Sequence, residues 1–141
     1  MMWQRSPGMR PEISKDGCYL MSIYWHVAKR NVEMVNEIHD ISTVLYAELV
    51  ARGFMRDDCY ILDPAAIFGY LGMDVKYLGK FGPERVCGDD EIEINLWYYG
   101  AKDWYHFVAG NGFGFTEYDP WGISTTATHG KLKSKRIFRI E

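Results

Sequence analysis

Asp16-Gly17-Cys18-Tyr19-Leu20-Met21-Ser22 reads as a turn running into a helix, with a cysteine at the helix start. A helix start presents unpaired backbone N–H groups and the positive end of the helix dipole, and both favour a thiolate over a thiol. A free cysteine titrates near ~8.5, whereas at such positions values of roughly 3.5–7.5 are found. Asp16 is expected to cap the helix through its side-chain oxygen, and Gly17 to let the chain turn tightly into it. From Cys18 to about Arg30, the apolar residues Leu20, Met21, Ile23, Tyr24, Val27 and Ala28 suit a buried helix. Upstream, residues 1–15 are rich in Pro, Gly, Arg and Ser and read as an extended arm.

Downstream, Asn31 is expected to cap a second helical stretch over residues 32–52, ended by Gly53. Val35, Ile38, Ile41, Leu45 and Leu49 give it an apolar face, with a break near Asp40-Ile41-Ser42. Residues 57–62 read as a short extended link. Asp63-Pro64 then combines a cap with proline at the first helical position, so a short helix follows, ended by Gly72. Beyond this the pattern changes. Residues 74–78, 91–97, 104–109, 113–118 and 136–140 read as strands separated by Gly, Pro, Asn and Asp turn signals. Gly110-Asn111-Gly112 favours a tight hairpin. Helices first and an antiparallel sheet afterwards make an α+β fold, in a single domain over residues 1–141.

Composition narrows the function. With 48% hydrophobic and 25% charged residues, the chain is that of an ordinary globular protein. Its net charge of −3 gives no electrostatic footprint for nucleic acid. The basic run Lys131, Lys133, Lys135, Arg136 reads as a solvated strand face rather than a phosphate site. Aromatics cluster at Trp97-Tyr98-Tyr99 and Trp104-Tyr105, as core and cleft wall or as a stacking surface for a sugar or peptide. No apolar run reaches membrane-spanning length, and the N-terminus has no apolar signal core, so a cytoplasmic location is the default expectation. Cys18, Cys59 and Cys87 are odd in number and lack CxxC spacing, which argues against a disulfide framework and a zinc site.

The chemistry concentrates in three residues. Cys18 opens a helix, His106 lies in an alternating strand, and Asp119 follows 13 residues later across the Gly-Asn-Gly turn. Paired strands would let Asp119 orient the imidazole while His106 takes the thiol proton. Each residue alone also has a plain structural reading: a buried inert thiol, a satisfied strand histidine, an Asp-Pro turn. His26 is eight residues from Cys18 on one helix, ~12 Å along its axis, and cannot pair with it. His39 reads as exposed, His129 is the one rival base, and Cys59 and Cys87 are structural. A metal site built from the same three residues lacks a second close-spaced ligand pair.

At these residues the chain resembles the papain-like cysteine peptidases, with its nearest likeness to the bacteriocin-processing (double-glycine leader) peptidase-like family. The matching pieces are Asp16-Gly17-Cys18, Tyr105-His106-Phe107-Val108 and Tyr118-Asp119-Pro120-Trp121-Gly122, within roughly residues 12–124. The resemblance implies a papain-like fold, with N-terminal helices packed on a C-terminal antiparallel sheet. It implies thiol hydrolysis of a peptide or amide without a cofactor: Cys18 as nucleophile, His106 as general base and then acid, Asp119 as orienting carboxylate. The family usually carries a glutamine a few residues before the cysteine to donate to the oxyanion. Here the six-residue offset holds Glu12, and the only upstream glutamine, Gln4, lies in the arm; Asn95 is another candidate donor. Tyr19 also stands where the peptidases commonly have glycine. The expected partner is a peptide or peptidoglycan-peptide substrate, with no nucleic acid. Two other readings stay open: a cell-wall peptide hydrolase of papain-like fold, and a module that binds a peptide without cutting it.

Overall fold

Proline at the first helical position and Glu12 in the first turn start helix α1 (Pro11–Asp16), and one residue later helix α2 (Cys18–Arg30) begins. The computed structural model describes residues 3–31 and 40–141. Gly17 between the helices has φ −87° and ψ 13°, and its N–H donates to the Ile13 carbonyl at 2.8 Å. A Cβ at this position would stand 2.6 Å from that oxygen, so the close approach, not a left-handed backbone, demands glycine. The N-cap of α2 is Gly17 itself, with no side-chain cap, because Asp16 is already the last residue of α1. The expected capping by Asp16 is therefore not found. Nor is the N-terminal segment an extended arm: residues 11–15 are helical, and the turns before them are tied down by the Gln4 N–H donating to the Pro120 carbonyl at 2.6 Å.

The part of the second expected helix over residues 32–39, including Val35, Ile38 and His39, lies outside the described residues. The expected break near residue 40 is a π-helical turn (Asp40–Leu45), followed by α3 (Tyr46–Ala51). Asn31 closes α2 through its N–H to the Val27 and Ala28 carbonyls. Helix α4 (Pro64–Tyr70) starts as its sequence dictates, with the Asp63 side chain accepting from the Ala66 N–H at 3.1 Å.

Strands β1 (Val75–Phe81), β2 (Glu91–Tyr99), β3 (Trp104–Gly110), β4 (Thr116–Tyr118) and β5 (Lys131–Ile140) form one antiparallel sheet in the order β1-β5-β2-β3-β4. A fifth short helix, α5 (Thr125–His129), sits between β4 and β5. The fold is thus mixed α+β. Leu20, Met21, Ile23 and Val27 of α2 share one apolar core with Ile92, Ile94, Ala109 and Phe138 of the sheet. Among the described residues no helix is long and apolar enough to cross a membrane.

Two further expectations fail, each for a physical reason. The tight two-residue hairpin at Asn111-Gly112 is a wider loop: the Asn111 side chain accepts from the Phe113 and Phe115 N–H groups, and the Asn111 N–H donates to the Phe115 carbonyl. That arrangement leaves only three residues for β4. The basic run is not a solvated face either. Lys131 and Lys133 are exposed, but Lys135 is fully buried, its Nζ 3.0 Å from Glu93 Oε1 and donating to the Arg85 carbonyl at 2.7 Å. Arg136 is half-buried. The loops before β2 and after β3 cover this face of the sheet: the Arg85 carbonyl accepts from Lys135, and the Gly114 N–H donates to Glu93 Oε2 at 2.9 Å.

Candidate active site

Cys18 reaches β3 from the first turn of α2, where the Phe107 N–H points at its Sγ at 3.5 Å. The neighbouring residue, His106, is buried while Tyr105 is exposed and Phe107 is half-buried, which is the alternation expected of a strand. Its Nε2 donates to Asp119 Oδ1 at 2.6 Å, and the ring lies near enough to the Cys18 side chain to be influenced by it. With Nε2 engaged by the carboxylate, Nδ1 is the nitrogen left for the thiol. The three residues singled out in the sequence are thus brought together.

Asp119 is held on both oxygens. Oδ1 accepts from His106 Nε2 and from the Trp121 N–H at 2.9 Å; Oδ2 accepts from the Ser124 N–H at 3.0 Å and its hydroxyl at 2.6 Å. Ser124 is also the N-cap of α5, accepting from the Ala127 N–H at 3.2 Å. Burial alone would push the His106 pKa down, but the hydrogen bond to Asp119 and the interaction with Cys18 outweigh it and raise it to about 9. Burial works against the Asp119 carboxylate too, yet His106 and Ser124 hold its pKa below the usual value. The pair thus places an imidazole that favours its protonated form beside the Cys18 sulfur.

The other thiols differ. Cys59 is buried and Cys87 half-buried, and burial, with nearby carboxylates adding to it, pushes each up to about 12. His129 is exposed at the end of α5, away from Cys18, so the rival base drops out. His26 is buried, with Nε2 donating to the Glu93 carbonyl at 2.8 Å, far from the thiol along its helix.

Cys18 and His106 open into a cleft of about 1040 Å³. Its walls include Tyr60, Leu62, Tyr77, Trp104, Tyr105 and Trp121. Trp121 stands edge-on to His106 with ring centres 6.0 Å apart. Gln4 lines the same cleft and is 1% exposed, its Nε2 donating to the Ser14 carbonyl at 3.2 Å and its Oε1 buried without a partner. Glu12, by contrast, is paired with Arg10 at 3.2 Å and does not line the cleft. Asn95 is fully buried and donates to Glu93 Oε2 at 2.8 Å, outside the cleft, and is no oxyanion donor. Sequence reasoning missed Ser124 altogether. Its signal was the helix-cap pattern Ser124-Thr125-Thr126 directly after the Asp-Pro turn. Among the described residues no group of three or more His, Cys, Asp or Glu is placed to hold a metal.

No curated protein and no solved structure matches the chain. Residues 1–140 match the family described as "Protein of unknown function, DUF261", and the chain belongs to that family.

Proposed function

We propose that the chain is a cysteine hydrolase of papain-like fold that cleaves a peptide or amide bond through Cys18, His106 and Asp119. The observation that carries this reading is His106, hydrogen-bonded to the buried Asp119 carboxylate and beside the Cys18 side chain, at the edge of an open cleft. His106 takes the thiol proton as Cys18 Sγ attacks the carbonyl carbon, then gives that proton to the departing amine. Water, deprotonated by His106, releases the acyl group from sulfur as a carboxylic acid and restores the thiol. The second amide hydrogen of Gln4 and the Cys18 backbone N–H are the donors offered to the oxyanion, a role in which one lost donor costs about 10²–10³ in rate. Gln4 in the cleft, with Glu12 tied to Arg10 outside it, supports a hydrolase over a module that only binds.

The test is alkylation by iodoacetamide at pH 6, read residue by residue by mass spectrometry. Cys18 is expected to label alone, since Cys59 and Cys87 titrate at about 12. In His106→Ala the Cys18 rate at this pH is expected to fall by at least about tenfold. Equal labelling of the three thiols, or a rate indifferent to His106, overturns the proposal.

A further inference from the structure

Among the described residues Arg136 stands in the cleft without an anionic partner. It comes from β5, is half-buried, and lines the cleft beside Tyr19, Tyr77, Leu96 and Phe107. Its Nη1 donates to Ser134 Oγ at 2.6 Å, and its guanidinium carbon lies 5.1 Å from the centre of the Phe107 ring. Among the described residues it makes no ion pair, although Arg10, Arg52, Arg56, Arg85 and Arg139 each pair with a carboxylate. Of the three acids that line the cleft none pairs with it among the described residues: Asp58 pairs with Arg56 at 2.6 Å, Asp103 accepts from the Tyr98 hydroxyl at 2.9 Å, and Asp16, the last residue of α1, forms no ion pair. A guanidinium offers five N–H donors in a fork that fits a carboxylate, and Ser134 uses one. Withdrawing such a group from water among aromatic walls is unfavourable until an anion arrives.

Its place relative to Cys18 sets the reach. The Phe107 N–H contacts Cys18 Sγ, the Phe107 ring packs on Tyr19 at 4.5 Å between centres, and Arg136 lies on that same Phe107 ring. One aromatic side chain thus separates the guanidinium from the sulfur, on the order of 10 Å, which about three extended residues span.

We propose that Arg136 binds a carboxylate of the substrate, so that the cleft selects peptides bearing an acidic group within about three residues of the bond presented to Cys18. This rests on the reading of Cys18 as the nucleophile. The carboxylate comes either from an Asp or Glu side chain or from a free peptide C-terminus, and the test separates the two sources.

The probes are short N-bromoacetyl peptides, which alkylate a reactive thiol without needing turnover. One arm places Glu or Gln at the first, second or third position of otherwise neutral, C-terminally amidated peptides. The other compares a free C-terminal carboxylate with its amide. One acidic member is expected to label Cys18 about ten- to a hundredfold faster than its neutral partner, the range of a charge-assisted hydrogen bond. That ratio should fall towards one in Arg136→Gln and be partly kept in Arg136→Lys. The ratio is taken within each variant, which cancels any change in the thiol. An acidic-to-neutral ratio near one in the native protein overturns the proposal whatever the variants do. In that case selective labelling of Cys18 by the neutral peptides leaves the nucleophile reading intact, whereas its absence overturns both.

Discussion

The Asp119 carboxylate accepts four hydrogen bonds, and only one of them comes from the histidine it orients. A carboxylate so held cannot swing out to solvent, so the imidazole keeps one tautomer and one direction. Ser124 supplies two of the four bonds and caps α5 with the same oxygen. In Ser124→Ala the hydroxyl bond and the cap are both lost. Stability is expected to fall by about 1–2 kcal/mol in urea unfolding. The acid limb of Cys18 alkylation should also move to higher pH, because a carboxylate no longer held by the hydroxyl is less firmly aimed at the imidazole. A serine that served only as a helix cap would lower stability and leave the limb where it was. At this scale Cys18, His106 and Asp119 were legible because each sits on a local signal: a helix start, an alternating strand, an Asp-Pro turn. Gln4 was legible as the one upstream glutamine, but its place in the cleft was not, since that seat depends on the Pro120 carbonyl and on Ser14, neither of which its own neighbours in sequence announce. Arg136 was hidden among lysines, because exposure along β5 is decided by what covers each face and by the register shift near Leu96 and Trp97.

Between residue and molecule, the junction of α1 and α2 matters most to the site. Helix α1 carries Ser14, whose hydroxyl donates to the Gln4 carbonyl at 3.1 Å and whose carbonyl accepts from Gln4 Nε2. The angle between the helices therefore helps set where Gln4 lies relative to Cys18, and Gly17 is what permits that angle. Gly17→Ala would bring a Cβ to 2.6 Å from the Ile13 oxygen and 2.8 Å from its Cα, both backbone atoms that cannot step aside. The variant is expected to lose about 1–3 kcal/mol, and with it roughly 2–4 °C in Tm per kcal/mol for a domain of this size. A variant as stable as the native protein would mean that the two helices can reorient freely. The elements themselves were legible where periodicity is strong, as in α2 and β2. They were least legible at the β3–β4 connection, where an asparagine side chain and two glycines of positive φ replace the hairpin that Asn-Gly suggests.

Across the whole molecule, β2 is buried on both faces: Ile92 and Ile94 join the apolar core, while Glu93 and Asn95 sit in a polar layer with Lys135. His26 ties the helical layer to this strand through the Glu93 backbone carbonyl, which obliges its ring to keep the Nε2 proton. Burial drives its pKa down to about 3, so the folded protein holds it neutral. In the unfolded chain a histidine titrates near ~6.5, so as pH falls through that value the unfolded state binds the proton first. The stability that His26 contributes is therefore complete above ~6.5 and drains away towards about 3, with a slope of up to ~1.4 kcal/mol per pH unit. His106 works with the opposite sign: raised to about 9, it contributes fully below ~6.5 and is lost as pH climbs through 9. Asp119 and Glu91, whose pKa values are lowered, contribute above ~4 and fade only below it. Among the described residues the window from pH 4 to 6.5 thus belongs to His26. Urea unfolding across it should show the midpoint falling with pH in the native protein and a flatter dependence in His26→Gln. An unchanged slope in the variant would mean that His26 is already charged in the fold, and that the link between α2 and β2 does not depend on its neutral form.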